Sequence, residues 1–219
     1  MKSAAIITAA GSGSRMGIEK NKVLLPLEGK TVIETAVLSF INSEKFQKII
    51  ITHSPEDIEQ LKIALKELSI PLQFVEGGST RQESVYKGLK ALESDNPDTV
   101  LIHDAARPWI SRTLICNILE QTQKTGSAVP VIPSVNAMKK IDERGKITEH
   151  LQREKTVSAQ TPQGFQFSRI LKAHEKAASE NYEAIDDTEL WDRYFDSVST
   201  VPGEVANIKI TYKKDLAGI

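Results

Sequence analysis

One cysteine in 219 residues, Cys116, excludes an intrachain disulfide and a thiolate zinc cluster, and it suits a reducing compartment. The four histidines, His53, His103, His150 and His174, stand at no metal-ligand spacing. No apolar run approaches the roughly 20 residues of a membrane helix. The one stretch resembling a targeting signal, Lys2 followed by Ala4 to Ala10, is at the short limit for a signal core and runs straight into a glycine loop, so it reads as a first strand. Net charge is nearly absent as well: 28 Lys and Arg against 29 Asp and Glu leave −1, with no basic field for nucleic acid and no acidic tail. Any anion site must therefore be built locally. The expectation is a cytoplasmic chain with neither nucleic acid nor membrane among its partners.

What is there is 40% hydrophobic and 26% charged residues, enough for one sizeable core, and residues 1–219 read as a single domain. Strand-like apolar runs alternate with helix-period segments, the pattern of an α/β fold with a mostly parallel, doubly wound sheet. Strands are expected at Ala4 to Thr8, Lys48 to Thr52, Leu72 to Val75, Thr99 to His103 and Ser127 to Pro133. Helices are expected from about Thr31, from Ser54 as a cap with Leu61, Leu65 and Leu68 on its buried stripe, around Val85 and Leu89, and from Ser111. Met138 to Ile141 and Ile147 to His150 read as a hairpin with little apolar surface of its own. An isolated two-stranded hairpin is marginal in water, so it should pack on its own body or on a second subunit. A helix near Ser168 to Ser179, a short one near Asp187 to Tyr194, and strands at Ser197 to Val201 and Asn207 to Thr211 complete the reading.

The most informative segment is Ala9-Ala10-Gly11-Ser12-Gly13-Ser14-Arg15-Met16-Gly17, directly after the first strand, where open α/β sheets bind ligands. It fails both common phosphate fingerprints: a dinucleotide loop starting at Gly11 needs Gly or Ala where Met16 stands, and a Walker A loop needs Gly-Lys-Ser/Thr at Met16-Gly17-Ile18. What remains is a loop whose N–H groups can wrap a phosphate chain, with Arg15 as a bidentate donor and Lys20 and Lys22 as point charges. The competing reading is a plain strand-to-helix turn. Asp104, at the end of the fourth strand in His103-Asp104-Ala105-Ala106-Arg107-Pro108, lands on the same rim. It can face a metal-bound phosphate, or it can cap the next turn with Arg107 paired to it. Lys209 should point to the strand face opposite Ile208 and Ile210, Arg153 reads as a surface charge, and Asp186-Asp187 as a helix start.

Taken together and in order, AAGSGSRMG, GGSTRQESV, HDAARP, QTPQGF and NIKIT make the chain resemble the 2-C-methyl-D-erythritol 4-phosphate cytidylyltransferases of the non-mevalonate isoprenoid pathway, over nearly its whole length. The resemblance implies CTP- and Mg²⁺-dependent transfer of a cytidylyl group to methylerythritol phosphate with release of pyrophosphate. It also implies a Rossmann-like nucleotidyltransferase domain that forms a homodimer through a projecting arm, here residues 134–153. Carried over residue by residue, Arg15 and Lys22 would stabilise charge at the attacked phosphate, with Ala9, Ala10 and Gly11 holding nucleotide by main chain. Gly78 and Ser84 would contact cytosine, Asp104 would lie near metal and ribose, and Arg107 near the substrate. Arg153, from the partner subunit, and Lys209 would position the methylerythritol phosphate. The chain departs from the family pattern at Asn21 and Val23, where Pro and Gln usually flank the lysine, and at Asn136-Ala137, where Asp-Thr is usual. The rivals are a ribitol-5-phosphate cytidylyltransferase, which usually reads His-Asp-Ser-Val-Arg-Pro, a pyrophosphorylase using another nucleotide, and a nucleotide-binding module without turnover.

Overall fold

Ala4-Ala5-Ile6-Ile7 is apolar at every position, which suits a strand covered on both faces rather than one. In the computed structural model, which describes residues 2–11, 21–68 and 72–217, this run is the heart of the central strand β1 (Ser3–Thr8). Ala5 and Ile7 point into one apolar layer, Ala4 and Ile6 into the other. A small hairpin of β2 (Pro26–Leu27) and β3 (Lys30–Thr31) leads into α1 (Val32–Ser43), whose start is fixed by a reciprocal capping box between Thr31 and Glu34. β4 (Lys48–His53), α2 (Ile58–Leu65), β5 (Leu72–Glu76), α3 (Arg81–Ala91) and β6 (Thr99–Asp104) follow. Then come α4 (Arg112–Thr125), capped by Ser111 as expected, and β7 (Ser127–Pro133).

The strands run in the order β5-β4-β1-β6, all parallel, so the chain winds outward through β4 and β5 and returns to lay β6 on the far side of β1. That reversal leaves a crevice beyond the carboxyl ends of β1 and β6, where Thr8 is in register with Asp104. Past β6 the sheet continues with β11 (Gln163–Gln166), antiparallel, and then β7, which carries β10 (Val157–Ala159) and β12 (Ser199–Pro202). α1, α2 and α4 cover one face, while α3, α5 (Phe167–Glu180) and α6 (Asp187–Tyr194) cover the other around Trp191, Phe165 and Phe167.

Two expectations are corrected. Asn207 to Thr211 is not a strand: Asn207 gives its carbonyl to the side chains of Arg107 and Gln160, and only Ile210 N–H reaches across to Ala106 C=O. Side chains satisfy this segment where a ladder would have done so. Ser54 does not cap α2; its hydroxyl donates to the Asp57 carboxylate across a single 3₁₀ turn, Pro55–Asp57, and the helix proper begins at Ile58. Leu68 accordingly lies beyond the end of α2, still packed on the core with Leu61 and Leu65. The hairpin of β8 (Lys139–Ile141) and β9 (Ile147–His150) forms as expected but is exposed along its length, with Val135 at 85%, Ile141 at 65% and Ile147 at 55% accessible. Its own body does not cover it.

Candidate active site

The crevice at the β1/β6 reversal is a cavity of about 520 Å³ lined by the main chain of Ala9, Ala10 and Gly11, by Gly78, Arg81 and Ser84, and by Lys22, Asp104 and Lys209. Five separate stretches of chain thus meet there. Asp104, Lys22 and Lys209, expected from the sequence, are brought together there, as are Ala9, Ala10, Gly11, Gly78 and Ser84. Arg15 and Lys20 lie outside the described residues.

The loop after β1 is tied down by Asn21. Its buried amide donates to the Ala9 carbonyl and to the Asp57 carboxylate, both at 2.8 Å, and its oxygen accepts Val23 N–H at 3.2 Å. Asn21 therefore holds Ala9, just past the end of β1, to the turn that carries Lys22. It also starts the 3₁₀ turn Lys22–Leu24, from which Lys22 Nζ donates to the Ile210 carbonyl at 2.9 Å.

Gly77 and Gly78 are glycines for want of space: a Cβ at Gly77 would sit 2.8 Å from both Ala10 Cβ and Ser84 Oγ, and one at Gly78 would run into Glu83. Ser84 reaches the cavity wall with its hydroxyl already committed, accepting Gly78 N–H at 3.0 Å and donating to Thr80 C=O at 2.9 Å. It shapes the loop that borders the cavity.

Asp104 is the electrostatic centre. Arg81 Nε lies 3.3 Å from Oδ1, Lys209 Nζ 2.7 Å from Oδ2, and Thr8 Oγ1 donates to Oδ1 at 3.4 Å. Burial alone would raise its pKa, but the two cations hold the carboxyl far below the usual range and keep it ionised. Arg107 is turned to Asn207 and not paired with the Asp104 carboxylate: it closes a turn through N–H to Asp104 C=O, and its guanidinium donates to Asn207 C=O at 2.8 Å, bracing the 207–211 segment from outside the cavity lining. Arg153 opens an exposed 3₁₀ turn at the foot of the arm, on no wall of this cavity. Asp186 is the helix start it was expected to be, accepting the N–H groups of Thr188 and Glu189.

Sequence reasoning missed the support behind this rim. Arg107 C=O can only accept, so His103 Nε2–H donates to it at 2.9 Å, Nδ1 of the neutral ring accepts the Thr161 hydroxyl at 3.1 Å, and Thr161 Oγ1 in turn accepts Asp104 N–H at 3.1 Å. Asn207 donates to Thr161 C=O, closing the network onto the segment that carries Lys209. Arg81 was passed over too, although it lies within GGSTRQESV; nothing local announces that it pairs with Asp187, at 2.7 Å and 106 residues away.

A model of the 2-C-methyl-D-erythritol 4-phosphate cytidylyltransferase family matches residues 3–218. The chain belongs to that family. It is 36% identical over 214 residues to the 2-C-methyl-D-erythritol 4-phosphate cytidylyltransferase of Microcystis aeruginosa, covering 97% of this chain and 94% of that one. It is 38% identical over 217 residues to the bifunctional enzyme IspD/IspF of a Bradyrhizobium strain, covering 98% of this chain and 54% of the relative. The chain thus spans about half the length of such bifunctional relatives. The 4-diphosphocytidyl-2C-methyl-D-erythritol synthase of Anaerococcus prevotii superposes with a TM-score of 0.87 at 29% identity, over 99% of this chain and 95% of that one. The 2-C-methyl-D-erythritol 4-phosphate cytidylyltransferase of Thermus thermophilus gives 0.80 at 31%, over 99% and 96%. The α/β class read from the sequence is the fold these structures share with the chain.

His103 makes the network sensitive to acid. Burial pushes its pKa down from 6.5 to about 4, so between those values the unfolded chain binds a proton that the folded chain refuses. Stability is therefore lost as pH falls through that window, by about 2 kcal/mol between pH 7 and pH 5 from this group alone. Urea unfolding at both pH values should give a loss smaller by about that amount in His103→Gln than in the wild type. Equal losses in the two proteins would mean that His103 is not the buried neutral group described.

Proposed function

We propose that this chain transfers a cytidylyl group from CTP to 2-C-methyl-D-erythritol 4-phosphate, giving 4-diphosphocytidyl-2-C-methyl-D-erythritol and pyrophosphate, as a cytoplasmic enzyme of isoprenoid precursor synthesis. The observation that carries this reading is the convergence of Lys22, Asp104 and Lys209 with the Ala9–Gly11 main chain on one cavity, at the point of the sheet where nucleotides bind, in a member of this family.

The chemistry asks little of the protein in proton transfer. The attacking group is a phosphate monoester whose second pKa of about 6 leaves it deprotonated at pH 7. No general base is required. The task is to hold two anions together in line and to neutralise charge as the bond to pyrophosphate breaks. Lys22, with Arg15, takes the attacked phosphate; Ala9, Ala10 and Gly11 cradle the triphosphate; Gly78 and the loop shaped by Ser84 receive the cytosine. Lys209 reaches the acceptor phosphate, Arg107 keeps the Lys209 segment in position, and Arg153 completes the acceptor site from the partner subunit. The exposed apolar residues Val135, Ile141 and Ile147 support reading the arm, residues 134–153, as the homodimer contact of a single-domain chain.

Asp104 is a fitting ligand for Mg²⁺. Among the described residues no group of three His, Cys, Asp or Glu side chains could cage a metal, and Mg²⁺ ordinarily takes one or two carboxylates with the rest of its shell from substrate phosphates and water. Bound there with CTP, it would supply further positive charge to the phosphate chain. Nucleic acid has no part in this reading, nor has a membrane: among the described residues no helix is long and apolar enough to cross one.

Pyrophosphate release from Mg²⁺-CTP, followed side by side with 2-C-methyl-D-erythritol 4-phosphate, ribitol 5-phosphate and no acceptor, tests the reaction. Release with the first alone is expected. Release with ribitol phosphate instead would refute the acceptor, and intact CTP in every arm would refute turnover. The shared site has its own test in mixed dimers. Lys22→Ala and Arg153→Ala should each cut turnover about 100-fold or more, and mixing the two should restore part of it through dimers with one intact site. A mixture no more active than the sum of its parts would remove Arg153 from the partner's site.

A further inference from the structure

Arg81 is the first residue of α3, and its guanidinium lies between two carboxylates from different elements, Asp104 at the end of β6 and Asp187 at the start of α6. Nε donates to Asp104 Oδ1 at 3.3 Å, on the cavity wall, and Nη1 to Asp187 Oδ2 at 2.7 Å, behind it. Asp187 is 1% exposed and does not line the cavity. Its other oxygen lies 3.1 Å from Nε2 of His174, a fully buried ring stacked on Tyr86 with 7° between the planes. Both oxygens of Asp187 are therefore spoken for, and the capping of α6 is done by its neighbour, Asp186.

The tie between α3 and α6 would be as well made by apolar side chains. A buried ion pair seldom adds stability over a packed hydrophobic contact, whereas it does fix a geometry. A guanidinium forked between two carboxylates has its plane set by both, which a lysine, as a point charge, could not reproduce. What that geometry fixes is the direction from which Oδ1 of Asp104 is held, while Lys209 holds Oδ2.

We propose that Arg81 is a positioning residue for Asp104, and that Asp187, itself held by His174, aims Arg81. The row His174–Asp187–Arg81–Asp104 carries orientation from the α5/α6 layer to the cavity, and sets how Asp104 presents its carboxylate to metal-loaded nucleotide. It rests on the proposed function only in taking that nucleotide, CTP with Mg²⁺, as the ligand Asp104 meets. Groups that orient a metal-binding carboxylate typically affect metal affinity by about 10- to 100-fold.

The experiment is calorimetric binding of CTP, without acceptor, in Mg²⁺ and in EDTA, to the wild-type chain, Asp187→Asn, Arg81→Lys and the double variant, with melting temperatures recorded alongside. Each single variant should weaken binding about 10-fold in Mg²⁺ and leave binding in EDTA within about 2-fold. The double variant should bind no more weakly than Arg81→Lys, because Asp187 acts only through Arg81. A purely structural tie predicts lower melting temperatures with no difference between the two buffers, and that result would overturn the inference, as would additive losses in the double variant. Should Asp187→Asn fail to fold, Arg81→Lys, which keeps the charge, decides by the same comparison. Wild-type chain that binds no CTP in either buffer would overturn the proposed function and this inference together. Wild-type binding that depends on Mg²⁺ and is untouched by the variants would overturn the inference alone.

Discussion

An ionised carboxylate is costly to keep inside a protein unless cations or hydrogen-bond donors stand beside it, and Asp104 is the point at which this chain meets that requirement. Its burial follows from its position at the end of a strand covered on both faces, in register with Thr8 of the central strand. The compensation comes from elsewhere: Arg81 from the start of α3 and Lys209 from the segment after β12. Each cation has to be delivered by its own stretch of chain, so holding one charge obliges the fold to bring these stretches to the same end of the sheet. Losing either partner would leave the other as the sole cation beside a buried carboxylate, and both stability and the direction in which the carboxylate is held would suffer.

That obligation explains why so much polar structure lies behind the rim. The 207–211 segment has no strand to stiffen it, and side chains do the work instead: Asn207 on Thr161, Arg107 and Gln160 on Asn207, Lys22 on Ile210. His103 and Thr161 tie this support to the backbone of Asp104 itself. Asn21 performs the matching task past the end of β1, joining Ala9 to the turn that carries Lys22. The proposed reaction needs cations held in fixed directions before two anions arrive, and a network of this kind would supply that preorganisation.

The fold was legible because its elements obey simple periods: apolar runs for strands covered on both faces, helical stripes with caps at Thr31 and Ser111, and a glycine pair before α3. The rule that ligands bind beyond strand carboxyl ends found the Ala9–Gly11 loop and Asp104 together. Lys209 was found through the NIKIT motif and not through its local reading as a strand lysine, since strand alternation has no meaning in a segment that is not a strand. Arg81 and Asp187 were not legible as a pair, because a contact between residues 106 apart leaves no local trace and each has an ordinary local explanation as part of a helix start. The hairpin could be read from its turn, whereas its exposed apolar residues became visible only once the body was seen not to cover them.

The most direct test of the account is a crystal structure of the chain with CTP and Mg²⁺. It predicts the triphosphate along the Ala9–Gly11 main chain with Lys22 at the α-phosphate, the cytosine against Gly78, and the metal between Asp104 and the phosphates. Nucleotide bound away from the β1/β6 crevice, or seated there with Asp104 turned from the phosphates, would contradict it.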